Sequence, residues 1–343
     1  MTSAEIKARA VELGFDVCGI APAAAFAELR FFREWLARGY AGEMQYLARS
    51  AERREDVRSI LPSARSVIAL GTVYNVERPY STERDADIAR LARYAWGDDY
   101  HDVIGRRMGA LLEWMRGAAG EPFDARAYVD TGPVQERVYA QHAGIGWIGK
   151  NTCLINPDRG SWIFLSEILC TLPLEPDAPS LDQCGTCTLC LDACPTGALA
   201  EPYVLDSRKC LSYLTIEVKG SIPIELRPQL GAHAYGCDIC QDVCPWNHRP
   251  AQSRDEAWQP RAAFDGPSLG ALWRRSDEAW RRALRGSAMT RAGVRRMRRN
   301  VAVCAGSTRD ADALDALTSV SEPSCADPLV AEHVAWALEQ RRD

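Results

Sequence analysis

The sequence predicts an α+β protein in three parts, and three observations carry that reading. Over residues 1–175 apolar strand-like runs alternate with amphipathic helical ones. Over 176–250 paired cysteines dominate, and over 251–343 the chain turns to helix alone, most plainly from about residue 265. Taken in order, "IKARAVELGFDVCGIAPA" reads as an amphipathic helix closed by Gly14, then a short buried strand ending at Pro22. "FFREWLARGYAGEMQYL" is a second helix with aromatic anchors, "ARSVIALGTVY" a strongly apolar strand, and "HDVIGRRMGALLEWMRGA" a long amphipathic helix. "ARAYVDTG" is a strand running into a turn, "GSWIFLSEILC" a further strand, and the proline-rich "LPLEPDAPS" (172–180) an exit linker. In the last part "NVAVCA" (300–305) recurs loosely as "HVAWAL" (333–338), a spacing of 33 that fits a stacked helical repeat.

Composition narrows the function classes. The formal charge of −5 argues against a uniformly basic nucleic-acid coat. Only four of the 41 basic residues are lysine, so any basic surface is built from arginine. No apolar run reaches the ~18–20 residues a membrane span needs, and the N-terminus carries no long apolar stretch. A cytoplasmic protein is expected, and its thirteen cysteines then point to metal rather than disulfides.

Their spacing says which metal. "CGTCTLCLDACP" (184–195) is a C-x2-C-x2-C-x3-C-P run, the bacterial ferredoxin pattern in which three thiolates bind one [4Fe–4S] cluster and the fourth crosses to another. A helix beginning at the proline is expected to carry that fourth thiolate away. "CDICQDVCP" (237–245) ends in the same C-x3-C-P but is one cysteine short. By analogy Cys184, Cys187, Cys190 and Cys244 hold the first cluster. Cys194, Cys237 and Cys240 hold the second, and Cys210 is the replacement for the missing ligand, being the one cysteine between the runs. Zinc would want isolated C-x2-C pairs in fours. Cys18, Cys153, Cys170, Cys304 and Cys325 stand in apolar contexts and read as core.

Beyond the cysteines, "ARYAWGDDYHDV" (92–103), "YVDTGPVQERVYAQHAGIGWIGKNTCLI" (128–155), "GSWIFLSEIL" (160–169) and "YGCDICQDVCPWN" (235–247) together resemble the epoxyqueuosine reductases. These are cobalamin-dependent iron–sulfur enzymes of tRNA queuosine synthesis, and the resemblance covers nearly the whole chain. It implies a reductive-dehalogenase-like cobalamin-binding α/β domain, a two-cluster ferredoxin module and a C-terminal HEAT-like repeat. It also implies that epoxyqueuosine in a tRNA anticodon loop is reduced to queuosine by Co(I) cobalamin, with electrons passed through the clusters from an unidentified low-potential donor.

The resemblance assigns Asp130 as proton donor, with a pKa expected to rise on burial beside the corrin. On the residues alone, Asp-Thr-Gly reads first as turn chemistry, with Asp130 as a capping residue. For cobalamin it implicates Arg54, Arg137, Tyr100 and His101, the main chain at Leu154 and Leu165, and Lys150 and Asn151 for the phosphate of the nucleotide tail. Gly144, Gly146 and Gly149 would let the backbone approach the corrin closely. His101 reads equally well as a satisfied structural histidine. For tRNA the feature is residues 271–300, where ten arginines face only Asp277 and Glu278, with Trp273 and Trp280 interleaved. Arg291, Arg295, Arg296, Arg298 and Arg299, with Lys219, are the expected contacts, and a monomer is expected. Three readings compete: a reductive dehalogenase acting on a small molecule, an electron-transfer module that binds no corrin, and an RNA-binding scaffold with structural clusters.

Overall fold

The computed structural model describes residues 1–342. Its frame is a four-stranded sheet in the order Val17–Pro22, Ser66–Val73, Ile163–Cys170, Ala125–Tyr128, with every neighbouring pair antiparallel. That pairing makes the N-terminal part α+β, although the helix–strand alternation left a parallel α/β sheet equally open. Its two central strands are paired along their whole length, from Ser66 opposite Cys170 to Val73 opposite Ile163. They are almost continuously apolar because both faces are covered. Ile68, Leu70, Phe164 and Ile168 pack on the side of helices Ser3–Glu12 and Tyr100–Ala118. Val67, Ala69 and Leu169 pack on the side of helix Glu136–His142.

Local sequence sets the helix ends. Thr2 and Glu5 close a capping box on Ser3–Glu12, and Gly14 takes the left-handed φ of 91° that turns the chain into the first strand. Asp99 caps Tyr100–Ala118. The segment at 172–180 is extended, as a linker should be, and it is pinned: Asp177 accepts from the Ile20 N–H at 2.7 Å and pairs with Lys7. In the cysteine-rich part the short helices Leu189–Asp192 and Ile239–Asp242 lie before the prolines, not after them. Each fourth cysteine leaves from a helix end, and Pro245 opens only a single 3-10 turn, Pro245–Asn247.

The C-terminal part is helical from Leu269 on. Its long helix Gly293–Thr308 packs against Pro328–Glu339 so closely that a Cβ on Gly306 would lie 2.7 Å from the Ala337 Cα. The two loosely similar hexapeptides therefore face one another across that contact. One apolar core runs without a break from Ile6 and Met108 to Trp280, Val303 and Ala337. Among the described residues no helix is long and apolar enough to cross a membrane.

Candidate active site

The Ala125–Tyr128 strand stops just short of Asp130, which sits in the left-handed region at φ 58°. Such a conformation is costly for a residue with a Cβ and persists only when its surroundings hold it. Here they do. Glu136 accepts the Asp130 N–H at 2.7 Å, and Gly132 lies so tightly over Tyr128 that a Cβ there would sit 2.4 Å from the ring. The carboxylate, 45% exposed, is thereby aimed into a cavity of about 550 Å³. Arg54, Tyr100, Arg137, Leu165 and Arg291 line the same cavity.

The first turn of the Tyr100–Ala118 helix meets Asp130 from the side. Tyr100 donates its hydroxyl to Asp130 Oδ2 at 2.9 Å, and His101 Nε2 lies 3.3 Å from the same oxygen. The other imidazole nitrogen lies 2.7 Å from Asp99 Oδ1. Asp99, the helix cap, thus fixes the ring that Asp130 receives, and His101 is no isolated structural histidine. Burial works against charge on His101, but hydrogen bonds to Asp130 and Asp99 and their two charges push it up to about 9. Burial raises Asp130, yet the hydrogen bonds from His101 and Tyr100 and the charges of His101 and Arg291 outweigh it and hold the carboxyl below its usual range. The raised pKa expected of Asp130 is therefore not what these partners produce: at neutral pH the proton sits on His101.

The sequence reading missed Glu136 and Glu167. Glu167 lies mid-strand, 1% exposed, on the face covered by helix Glu136–His142, and it meets the Glu136 carboxyl there. A charged residue inside "IFLSEILC" was a visible signal.

The cysteines gather in two places. Cys184, Cys187, Cys190 and Cys244 line one small cavity beside Lys150 and Asn151. Cys194, Cys210, Cys237 and Cys240 lie within electrostatic reach as a second group, with Cys153 beside them. Cys210 also lines the Asp130 cavity. Cys153, read as core, lies against Cys240.

Several expected contacts belong elsewhere. Lys150 donates to the Gly185 and Cys187 carbonyls and Asn151 to the Cys240 carbonyl, so both brace the cysteine loops and neither lines the Asp130 cavity. The Leu154 side chain is buried in the second core and its strand pairs with Ile148, a placement compatible with the expected main-chain contact. A Cβ on Gly146 would lie 2.2 Å from the Ile155 carbonyl oxygen and one on Gly144 2.7 Å from that of Ala178. Those glycines make room for the chain's own backbone.

The arginine run divides sharply. Arg298 and Arg299 are fully buried and cannot touch RNA. Arg298 pairs with Asp277 at 3.1 Å and donates to the Trp273 and Arg275 carbonyls at the end of helix Leu269–Arg274. Arg299 donates to the carbonyls of Leu214, Val218 and Gly220. Both satisfy carbonyls that a helix end leaves unpaired. Trp273 and Trp280 are core residues and cannot stack on bases. Arg296 is half-buried and spent on the Ala292 and Ile216 carbonyls. Arg291, Arg295 and Lys219 remain exposed, and Arg291 reaches to 3.9 Å from Asp130.

The epoxyqueuosine reductase QueG family model (DUF1730) matches residues 54–131, and a 4Fe-4S double cluster binding domain matches residues 183–247. The epoxyqueuosine reductase of Xanthomonas campestris pv. campestris is 40% identical over 342 residues, covering 98% of this chain and 96% of its own. A solved epoxyqueuosine reductase with a tRNA-Tyr epoxyqueuosine-modified tRNA stem loop is 30% identical, with a TM-score of 0.89 over 99% of this chain and 90% of that one. The Bacillus subtilis epoxyqueuosine reductase, solved with its catalytic aspartate loop swung out of the active site, gives a TM-score of 0.84 at 30% identity, covering 98% of this chain and 90% of that one. With a relative this similar along nearly its whole length, the chain belongs to the epoxyqueuosine reductase family.

Proposed function

We propose that this chain reduces the epoxide of epoxyqueuosine in a tRNA anticodon loop to the alkene of queuosine, with Asp130 as the proton donor. The observation that carries the reading is Asp130 itself: a strained carboxylate aimed into a cavity of about 550 Å³, with an imidazole and a phenol on one oxygen. Removing the epoxide oxygen as water takes two electrons and two protons. The sequence's cysteine sets fit an electron path inward, because Cys210 of the second set lines the cavity while the first set lies beyond it.

The residues present fit cobalamin. Leu165 is the one incompletely buried position in its strand and lines the cavity together with Arg54 and Arg137. An adjoining cavity of about 430 Å³, lined by Phe31, Phe32 and Trp35, shares Arg54, Asp130 and Arg137 and extends the space. Arg54, Arg137, Tyr100 and the Leu165 main chain would hold the group. Bound there, cobalamin supplies a reduced cobalt able to attack the epoxide and to take electrons singly from the clusters.

The chain's own part is proton delivery and placement. His101, charged between Asp99 and Asp130, stores a proton at Nε2 and passes it to Asp130 Oδ2 as the departing oxygen gathers charge. Tyr100 fixes the rotamer of the carboxylate that accepts it. The Bacillus subtilis enzyme's displaced loop supports reading the Asp130 turn as one that moves to admit substrate. Arg291, which lines the cavity, and the exposed Arg295 and Lys219 provide cations for RNA phosphates. The three-part division at residues 175 and 250, a HEAT-like C-terminal repeat, a monomeric state and a cytoplasmic location complete the reading. The packed helices at 293–308 and 328–339 support the repeat.

The test is anaerobic protein supplied with cobalamin, reductant and tRNA bearing epoxyqueuosine, with nucleosides read by mass spectrometry. Loss of one oxygen, slowed ~10²–10⁴-fold in Asp130→Asn, is expected. An unchanged nucleoside from protein with intact clusters and bound corrin would count for the small-molecule reading.

A further inference from the structure

Glu167 has a problem that the reaction described above does not use. It is 1% exposed, and neither of its carboxyl oxygens has a hydrogen-bond donor among the described residues. The group it meets is another acid, Glu136, whose Oε1 already accepts the Asp130 N–H at 2.7 Å. Two carboxylates are acceptors only, so they bond to each other only when one of them carries a proton. No cation is in ion-pairing contact with either: Arg54 and Arg137 act on them through space alone. Burying two adjacent negative charges without partners is far more costly than keeping one proton. Burial and the charge of Asp130 raise Glu136 to about 7, and burial and the charge of Glu136 raise Glu167 well above the usual carboxyl range.

We infer that Glu136 is the positioning residue for Asp130 and that Glu167, held as a neutral acid, is its support. Glu167 donates its carboxyl proton to Glu136, and the Glu136 carboxylate in turn clamps the Asp130 N–H. The clamp holds Asp130 in the left-handed turn that aims it into the cavity. It deepens the reading of Asp130 as the acid and rests on it, but its test needs no substrate.

The first measurement is residue-resolved amide exchange on the cluster-loaded protein without tRNA. In Glu136→Ala the Asp130 amide should exchange roughly 10- to 100-fold faster, while amides of strand Ser66–Val73 keep their rates. Glu136→Gln retains an acceptor oxygen and should keep the protection. If Glu136→Ala leaves the Asp130 amide protected, or if Glu136→Gln releases it equally, the clamp is wrong. In turnover, Glu136→Ala should lower kcat by about 10²-fold with KM for tRNA little changed, as expected for misplacement without lost binding.

The second measurement stands if Glu136→Ala does not fold. A carboxyl whose folded pKa is raised contributes stability that is full below its unfolded value near 4.5 and is lost steadily as pH rises toward the folded value, which for Glu167 lies well above the usual range. Asp130, Arg54, Arg137, Tyr100 and Tyr139 are the charged or titratable groups facing the pair. They remain in Glu167→Gln, which needs no proton. The Tm of wild type should therefore fall relative to Glu167→Gln between pH 5 and 8. A constant difference across that range would mean that no proton is held, and the proposal would fail. Failure of either measurement with normal epoxide reduction sinks the clamp alone; a fully active Asp130→Asn with a working clamp sinks the proton-donor reading and leaves the clamp standing.

Discussion

Asp99, His101 and Asp130 are held within hydrogen-bonding distance by one helix N-terminus and one strained turn, and that small geometry decides how the site titrates. Because His101 is raised to about 9, its proton is retained through neutral pH and lost as pH climbs through that value. The ion pairs it makes stabilise the fold fully below its unfolded pKa near 6.5 and disappear through about 9. We expect kcat to decline above pH ~9 in wild type. His101→Gln should lose that alkaline limb together with most of the rate, measured as a pH profile under single-turnover conditions. The identities of Asp130, Tyr100 and His101 were legible from their motifs. Their mutual arrangement was not, because Asp130 lies about thirty residues from His101 and local patterning carries no information across that distance. Glu167 was missed for the same reason: its meaning lies in Glu136 on a separate element.

Among the elements, helix Gly293–Thr308 shows most clearly how a charge pattern misleads. Its arginines form one run in sequence, and Arg295, Arg298 and Arg299 even share one face of the helix. Yet Arg295 stands exposed in the first turn while Arg298 and Arg299, a turn further in, are buried against neighbouring elements. Arg298→Met should leave Asp277 buried without its partner and cost about 3–5 kcal/mol of stability, read from the denaturant midpoint. Arg295→Ala removes only an exposed pair with Asp327 and should change stability by about 0–1 kcal/mol. It should instead weaken tRNA binding and reduce the salt dependence by about one phosphate contact, as should Arg291→Ala. If Arg298→Met weakened RNA binding while stability held, the burial argument would be wrong.

For the whole molecule, the cysteine sets and the shared core make linked predictions. Cys210→Ala should remove about half the iron, because one [4Fe–4S] cluster loses a ligand, whereas Cys153→Ala should leave iron content unchanged. Iron analysis and electron paramagnetic resonance distinguish the two. The apolar core that joins Ile6 to Ala337 also means that the three sequence-defined parts are not independent folding units. Deleting the chain from residue 269 onward would expose Trp258, Leu230 and Tyr235, and the remainder should be insoluble.

By itself the sequence determined the element types, the two cysteine sets, the family blocks and the positions of the candidate acid and of the arginine run. All of these are written in local spacing, period or motif, which survive without knowledge of the partners. Only the tertiary structure decided that the sheet is antiparallel, that Lys150 and Asn151 brace the cysteine loops, and that Arg298 and Arg299 close helix ends. It alone shows that Asp130 is ionised beside a charged His101. Each of these depends on which groups meet across many residues, and both burial and pKa are properties of those meetings.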